Sequence, residues 1–161
     1  MKKTMRFRPA VESVSALRSG YQPGLRAVKA EYRDRFACDD PRRLAGSIDI
    51  DAALEAALPN APRWDYGIGV DHGRGGDKIH WVEMHPATDG DVKDVLRKLA
   101  WLRTWLQQNA RHLLAMTAKE KGFVWLATKA IGFRPGSPKA KQLEAQGLGF
   151  PCRRFRIPQD A

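Results

Sequence analysis

In residues 63–85, RWDYGIGVDHGRGGDKIHWVEMH, apolar side chains recur with a period of two. Trp64, Tyr66, Ile68 and Val70 alternate with Asp65, Gly67, Gly69 and Asp71. Alternation of this kind belongs to an extended strand with two unlike faces. Glycines at 73, 75 and 76 then turn the chain, and residues 79–84, IHWVEM, return as the partner strand of a β-hairpin. The hairpin carries Asp65, Asp71, Glu83 and three of the four histidines. Glu83 lies among Ile79, Trp81 and Val82, where a carboxylate needs a cation, an arginine or backbone donors. Glu83 and His85 project to one side together, and Gly67 and Gly69 share the face of Asp65. Such an open face admits a backbone or a ligand, or is covered by a helix.

The rest of the chain reads as helices and strands around this hairpin. Residues 10–19 suit a short helix, with Val11, Val14 and Leu17 on one stripe. Pro23 is placed to open a second helix to about Phe36, burying Leu25, Val28, Tyr32 and Phe36. Residues 46–51 alternate Ile48 and Ile50 with Asp49 and Asp51, a short strand, and Asp51 is an N-cap candidate for a helix over 52–58. The clearest helix spans 91–108, striped by Val92, Leu96, Leu99, Leu102 and Leu106. Residues 123–129, FVWLATK, read as a central strand. Ser137-Pro138 starts a helix to Gln146 that Gly147 stops, and 153–157 form a last short strand. The expectation is a flexible basic arm over residues 1–9 and one α/β domain over 10–161.

Net charge is +10, distributed unevenly. Residues 1–45 carry eleven Lys/Arg against five Asp/Glu, 46–90 three against eight, and 91–161 fourteen against five. An acidic centre between basic flanks suits carboxylates that hold a cation while the flanks neutralise a polyanion. A nucleic acid, DNA or RNA, is the favoured partner. No apolar run approaches a membrane span, and no apolar segment follows the basic N-terminus as in a secretory signal, so a cytoplasmic protein without membrane contact is expected. Cys38 and Cys152 have no metal-ligand spacing and read as free thiols.

The order helix, strand, strand, strand, helix, strand over residues 23–130 resembles the core of the PD-(D/E)XK nuclease superfamily, the restriction-endonuclease-like fold. Residues 131–161 would be a helix–strand extension. The resemblance implies a three-layer core, a mixed central sheet flanked by helices. It places the first acid at Asp65 and the acidic tripeptide at Glu83-Met84-His85, with Glu31 as an extra helical acid. His85 stands where that family usually has lysine. The implied activity is hydrolysis of phosphodiester bonds, with Asp65 and Glu83 holding Mg²⁺ or Mn²⁺. His85 would handle the water, a role open to imidazole as well as to ammonium.

Other readings stand beside this one. A catalytically inactive relative would bind nucleic acid or dock a protein within a larger assembly, and a third reading is a protein that binds an acidic partner. Zinc on Asp71, His72, His80 and His85 is opposed by strand geometry, because His80 and His85 face opposite sides. A phosphate loop at GIGVDHGRGG would need a helix, not a strand, directly after the glycines. Candidate nucleic-acid contacts are Arg97, Lys98, Arg103, Arg134, Lys139 and Lys141, and Trp101 and Trp105 read as core.

Overall fold

The period of two in residues 63–85 becomes the middle of a mixed five-stranded sheet. Residues 5–159 are described in this computed structural model. Along them run α1 (Phe7–Glu12), β1 (Tyr21–Gln22), β2 (Phe36–Ala37), β3 (Leu44–Asp49), α2 (Ile50–Leu54), β4 (Tyr66–Asp71) and β5 (Asp77–His85). Then come α3 (Asp91–Asn109), α4 (Arg111–Ala115), β6 (Phe123–Ala127), α5 (Pro138–Ala145) and β7 (Phe155–Arg156). The main sheet has the order β1-β3-β4-β5-β6. Strands β3, β4 and β5 are antiparallel neighbours, and β6 joins β5 in parallel after the crossover through α3. The molecule is thus α/β with a mixed central sheet.

Register fixes what each face of the sheet carries. Gly67 lies opposite Trp81 and Gly69 opposite Ile79, while Ile68 lies opposite His80 and Tyr66 opposite Val82. The odd-numbered face of β5 packs with α1, α2, α3, α4 and α5 in one core that includes Phe7, Leu54, Val95, Leu102, Leu113 and Leu143. The even-numbered face packs Ile68, Val82 and Met84 against Val28, Phe36, Phe155 and Ile157. Among the described residues, helices therefore cover one face only. Over the other lie a short 3-10 turn (Ala30–Arg35) and the small parallel sheet of β2 and β7, in place of the expected second helical layer.

Two expectations fail for identifiable reasons. The helix expected over 23–36 is interrupted by Gly24, at φ +55°, and by an extended Lys29, leaving 3-10 turns over 30–35. The guanidinium of Arg33 donates to the carbonyls of Arg26 and Val28, which a helix would have used internally. The basic arm is also not an arm over its described part, residues 1–4 lying outside the described residues. Phe7 is fully buried in α1, and its N–H donates to Asp77 Oδ2 at 2.6 Å. Arg6 bridges Asp71 and Asp77 at 3.0 and 3.2 Å.

The helix expected over 10–19 is found instead at Phe7–Glu12, followed by turns and a 3-10 segment (Arg18–Gly20), while other elements keep their type with shifts at the termini. Asp49, not Asp51, caps α2, accepting from the Ala52 N–H at 2.8 Å. Ser137 caps α5 through the Ala140 N–H at 3.3 Å, and Gly147 follows the helix at φ +81°. α3 begins with Thr88 and Asp91 bonded to each other, Asp91 Oδ2 accepting from the Thr88 N–H at 2.9 Å and its hydroxyl at 2.6 Å.

Candidate functional site

Asp65 and Glu83 occupy the next facing positions beyond the last ladder pair, Tyr66 with Val82. Facing residues of an antiparallel pair hold their Cβ atoms about 5 Å apart. Each carboxylate also bonds the other's strand: Asp65 N–H donates to Glu83 Oε1 at 3.2 Å, and Met84 N–H donates to Asp65 Oδ2 at 2.9 Å. The Asp65 carbonyl in turn accepts from Ile50 N–H at 2.9 Å, tying the pair to the start of α2. Two acids far apart in sequence are thereby held by backbone geometry, without a flexible loop between them.

The third member comes from α3. Lys98 Nζ donates to Glu83 Oε2 at 2.6 Å, with Glu83 fully buried and Lys98 about one quarter exposed. Burial and the charge of Asp65 push the Glu83 carboxyl up to about 8, although Lys98 pulls it down. Burial also raises Asp65, against the Met84 N–H and the Lys98 charge. Burial opposes the Lys98 charge, yet the Glu83 and Asp65 carboxylates outweigh it and its pKa rises. Asp49 and Asp51 add negative charge near Asp65, and Asp51 is itself paired with Arg63 at 2.9 Å.

His85 lies on the Glu83 side of β5, as alternation requires, but its ring is engaged elsewhere. Its Nδ1 is 2.8 Å from the Pro86 carbonyl and 3.6 Å from Asp91 Oδ1, and the ring stands edge-on to Trp125. Glu31 is exposed on the 3-10 turn. The open face left by Gly67 and Gly69 is filled from within the chain. A Cβ at Gly67 would come within 2.7 Å of the Trp81 ring, and one at Gly69 would collide with the Phe7 ring.

The basic candidates divide. Arg97, Arg134 and Lys141 are exposed and Lys139 is half-buried. Lys98 is committed to Glu83. Arg103 lies 4.7 Å over the Phe123 ring and donates to the Gln146 carbonyl at 2.7 Å. The sequence carries a signal for Lys98 as the partner of a buried acid. It falls three residues after Val95 and four before Leu102, inside the stripe that faces the sheet, where a lysine requires an acidic partner.

Among the described residues, no three His, Cys, Asp or Glu side chains converge as a ready-made metal cage. The donor set at Asp65 and Glu83 is all oxygen, which suits a hard cation that keeps much of its shell as water. No described helix is long and apolar enough to cross a membrane. Comparison with known protein families, curated proteins and solved structures returns no match.

Proposed function

We propose that this chain is a metal-dependent nuclease of restriction-endonuclease-like fold, acting on the phosphodiester bonds of DNA or RNA. The observation that carries the reading is the meeting of Asp65, just before β4, with Glu83 of β5 and Lys98 of α3. From β3 onward, three antiparallel strands, a helix and a parallel fourth strand keep the later part of the order on which the resemblance rests, while the helix that opens that order is replaced by 3-10 turns. Lys98 brings from α3 the ammonium expected on the strand, where His85 stands instead.

Asp65 and Glu83 would hold Mg²⁺ or Mn²⁺, for which two carboxylates suffice when water and phosphate complete the shell. When bound, such an ion supplies stabilisation of negative charge on the phosphoryl oxygens and acidifies a bound water. A further positive charge beside Glu83 would favour its ionised form against the burial and the Asp65 charge that raise its pKa. Lys98 holds its ammonium against Glu83, where it can orient a water or stabilise the developing charge. His85, through Pro86 and Asp91, fixes the turn that leads into α3 and so the height of Lys98. The exposed Arg97, Arg134 and Lys141 would meet phosphates on either side.

One observation favours a second reading, an inactive subunit that binds nucleic acid or docks a protein in a larger assembly. Both Glu83 oxygens and one Asp65 oxygen already have internal partners, so the cluster is close to self-sufficient. Cleavage of plasmid DNA and of RNA with Mg²⁺ or Mn²⁺ separates the two. Asp65→Asn, Glu83→Gln and Lys98→Met should each lower cleavage by at least about a hundredfold while binding persists, and His85→Ala should cost less. Salt-sensitive binding with no wild-type cleavage would favour the inactive subunit.

A further inference from the structure

Three residues before Glu83, on the opposite face of β5, His80 is buried with one ring atom unused. It is 1% exposed, and its Nδ1 lies 2.6 Å from the Lys121 carbonyl oxygen. A carbonyl only accepts, so Nδ1 carries the proton and Nε2 keeps a lone pair. That Nε2 is buried and has no partner. Burial lowers the His80 pKa against the bond to Lys121, and the charges of His72 and Lys121 act in the same direction as burial. The free protein therefore presents a neutral ring that lacks a donor at Nε2.

His80 lines a cleft of about 680 Å³ between the hairpin turn and the segment after α4. Its other titratable walls are His72, Arg74, Lys78, Lys119 and Glu120, three permanent cations against one carboxylate. The volume is that of a small-molecule site. His80 forms part of the wall of this cleft, and Nε2 is its ring nitrogen without a partner, Nδ1 being bonded to Lys121.

The occupant must satisfy two demands at once. The cations call for an anion, and Nε2 calls for a hydrogen-bond donor. Carboxylates, phosphodiesters and sulfate are anions without a proton to give at neutral pH. A phosphomonoester has its second ionisation near neutral pH, so one P–OH remains available beside anionic oxygens. We propose that this cleft is a phosphomonoester site, with His80 Nε2 accepting from the phosphate hydroxyl and Arg74, Lys78 and Lys119 meeting the anionic oxygens. The group can come from free phosphate or from the phosphorylated end of a nucleic acid. The site does not depend on the Asp65–Glu83 pair.

The test is ¹⁵N NMR of the full chain with labelled imidazoles, titrated with inorganic phosphate, sulfate, and 5′-phosphorylated or 5′-hydroxyl oligonucleotide. Phosphate or the phosphorylated end should move the His80 Nε2 resonance from its bare lone-pair position, and sulfate should bind at least about tenfold more weakly than phosphate. A response to the phosphorylated oligonucleotide well below the phosphate concentration needed assigns the site to a nucleic-acid end. A response to phosphate alone assigns it to the free ion. Arg74→Ala and Lys78→Ala, both outside the core, should each weaken binding about tenfold. An Nε2 resonance that none of these ligands moves, as for a nitrogen capped by water, overturns the proposal. So does sulfate binding equal to phosphate.

Discussion

Glu83 and His80 belong to one strand, both buried, on opposite faces of the sheet. On the helical face, Glu83 is met by a lysine from α3 and a backbone N–H from β4. On the other face, covered by turns and the β2–β7 pair, His80 meets one carbonyl and leaves Nε2 unmatched. The helical face can bring a long side chain to a chosen point, because α3 lies along the sheet and a lysine on its stripe reaches the strand below. The turn-covered face meets His80 with one backbone carbonyl and the apolar ring of Phe155, which satisfy one ring nitrogen and leave the other without a partner. A polar group closed from within and one left short are thus separated by what packs above each.

Removing the internal partner tests this contrast most severely. Lys98→Met leaves Glu83 buried without its cation, so that the carboxyl keeps its proton to higher pH, and the lost pair should cost about 3 kcal/mol at pH 8, read from the urea midpoint. A loss below about 1 kcal/mol would mean that the pair does not hold this face together. The same face is closed at its other end by Phe7 over Gly69. Gly69→Ala drives a methyl into the Phe7 ring and should cost about 2 kcal/mol, with Phe7→Leu in the same chain restoring part of it.

The pH dependence sharpens the comparison further. The Glu83 pKa is raised on folding, so the stability it contributes is complete below its unfolded value, near 4.5, and is lost as pH rises through about 8. Wild type should therefore lose about 3 kcal/mol relative to Glu83→Gln between pH 5 and 8. Equal slopes for the two proteins would show that Glu83 is already ionised at pH 5. The smallest effect belongs to the other face. His80→Phe removes the unpaired Nε2 and also the bond to Lys121, two changes that oppose each other, and stability should stay within about 1 kcal/mol of wild type.

How much of this was legible varies with the kind of interaction. The hairpin, its glycine turn, α3, β6 and α5 follow from period, caps and turn residues, all local. Asp65 and Glu83 were brought together by the resemblance, and the register that makes them face each other is read from the ladder of β4 and β5. Lys98 as partner of Glu83 was not recognised, because basic residues on a helix look alike until its rotation over the sheet is known. The segment 23–36 misled for a related reason. Its apolar spacing fits a helix, but Gly24 and the guanidinium of Arg33 favour turns that still bury Val28 and Phe36. Residues 5–9 look like a charged tail, and only the groove over Gly69 gives Phe7 a place to be buried.

The sequence by itself determined an α/β chain centred on an acidic hairpin, because alternation and glycine placement act over a few residues and depend on nothing distant. Tertiary structure alone decided that, of Glu83 and His80 on β5, the first was completed and the second was not. That outcome rests on contacts across fifteen residues for Lys98 and forty-one for Lys121, and on which face received the helices. No local propensity encodes such distances; packing does.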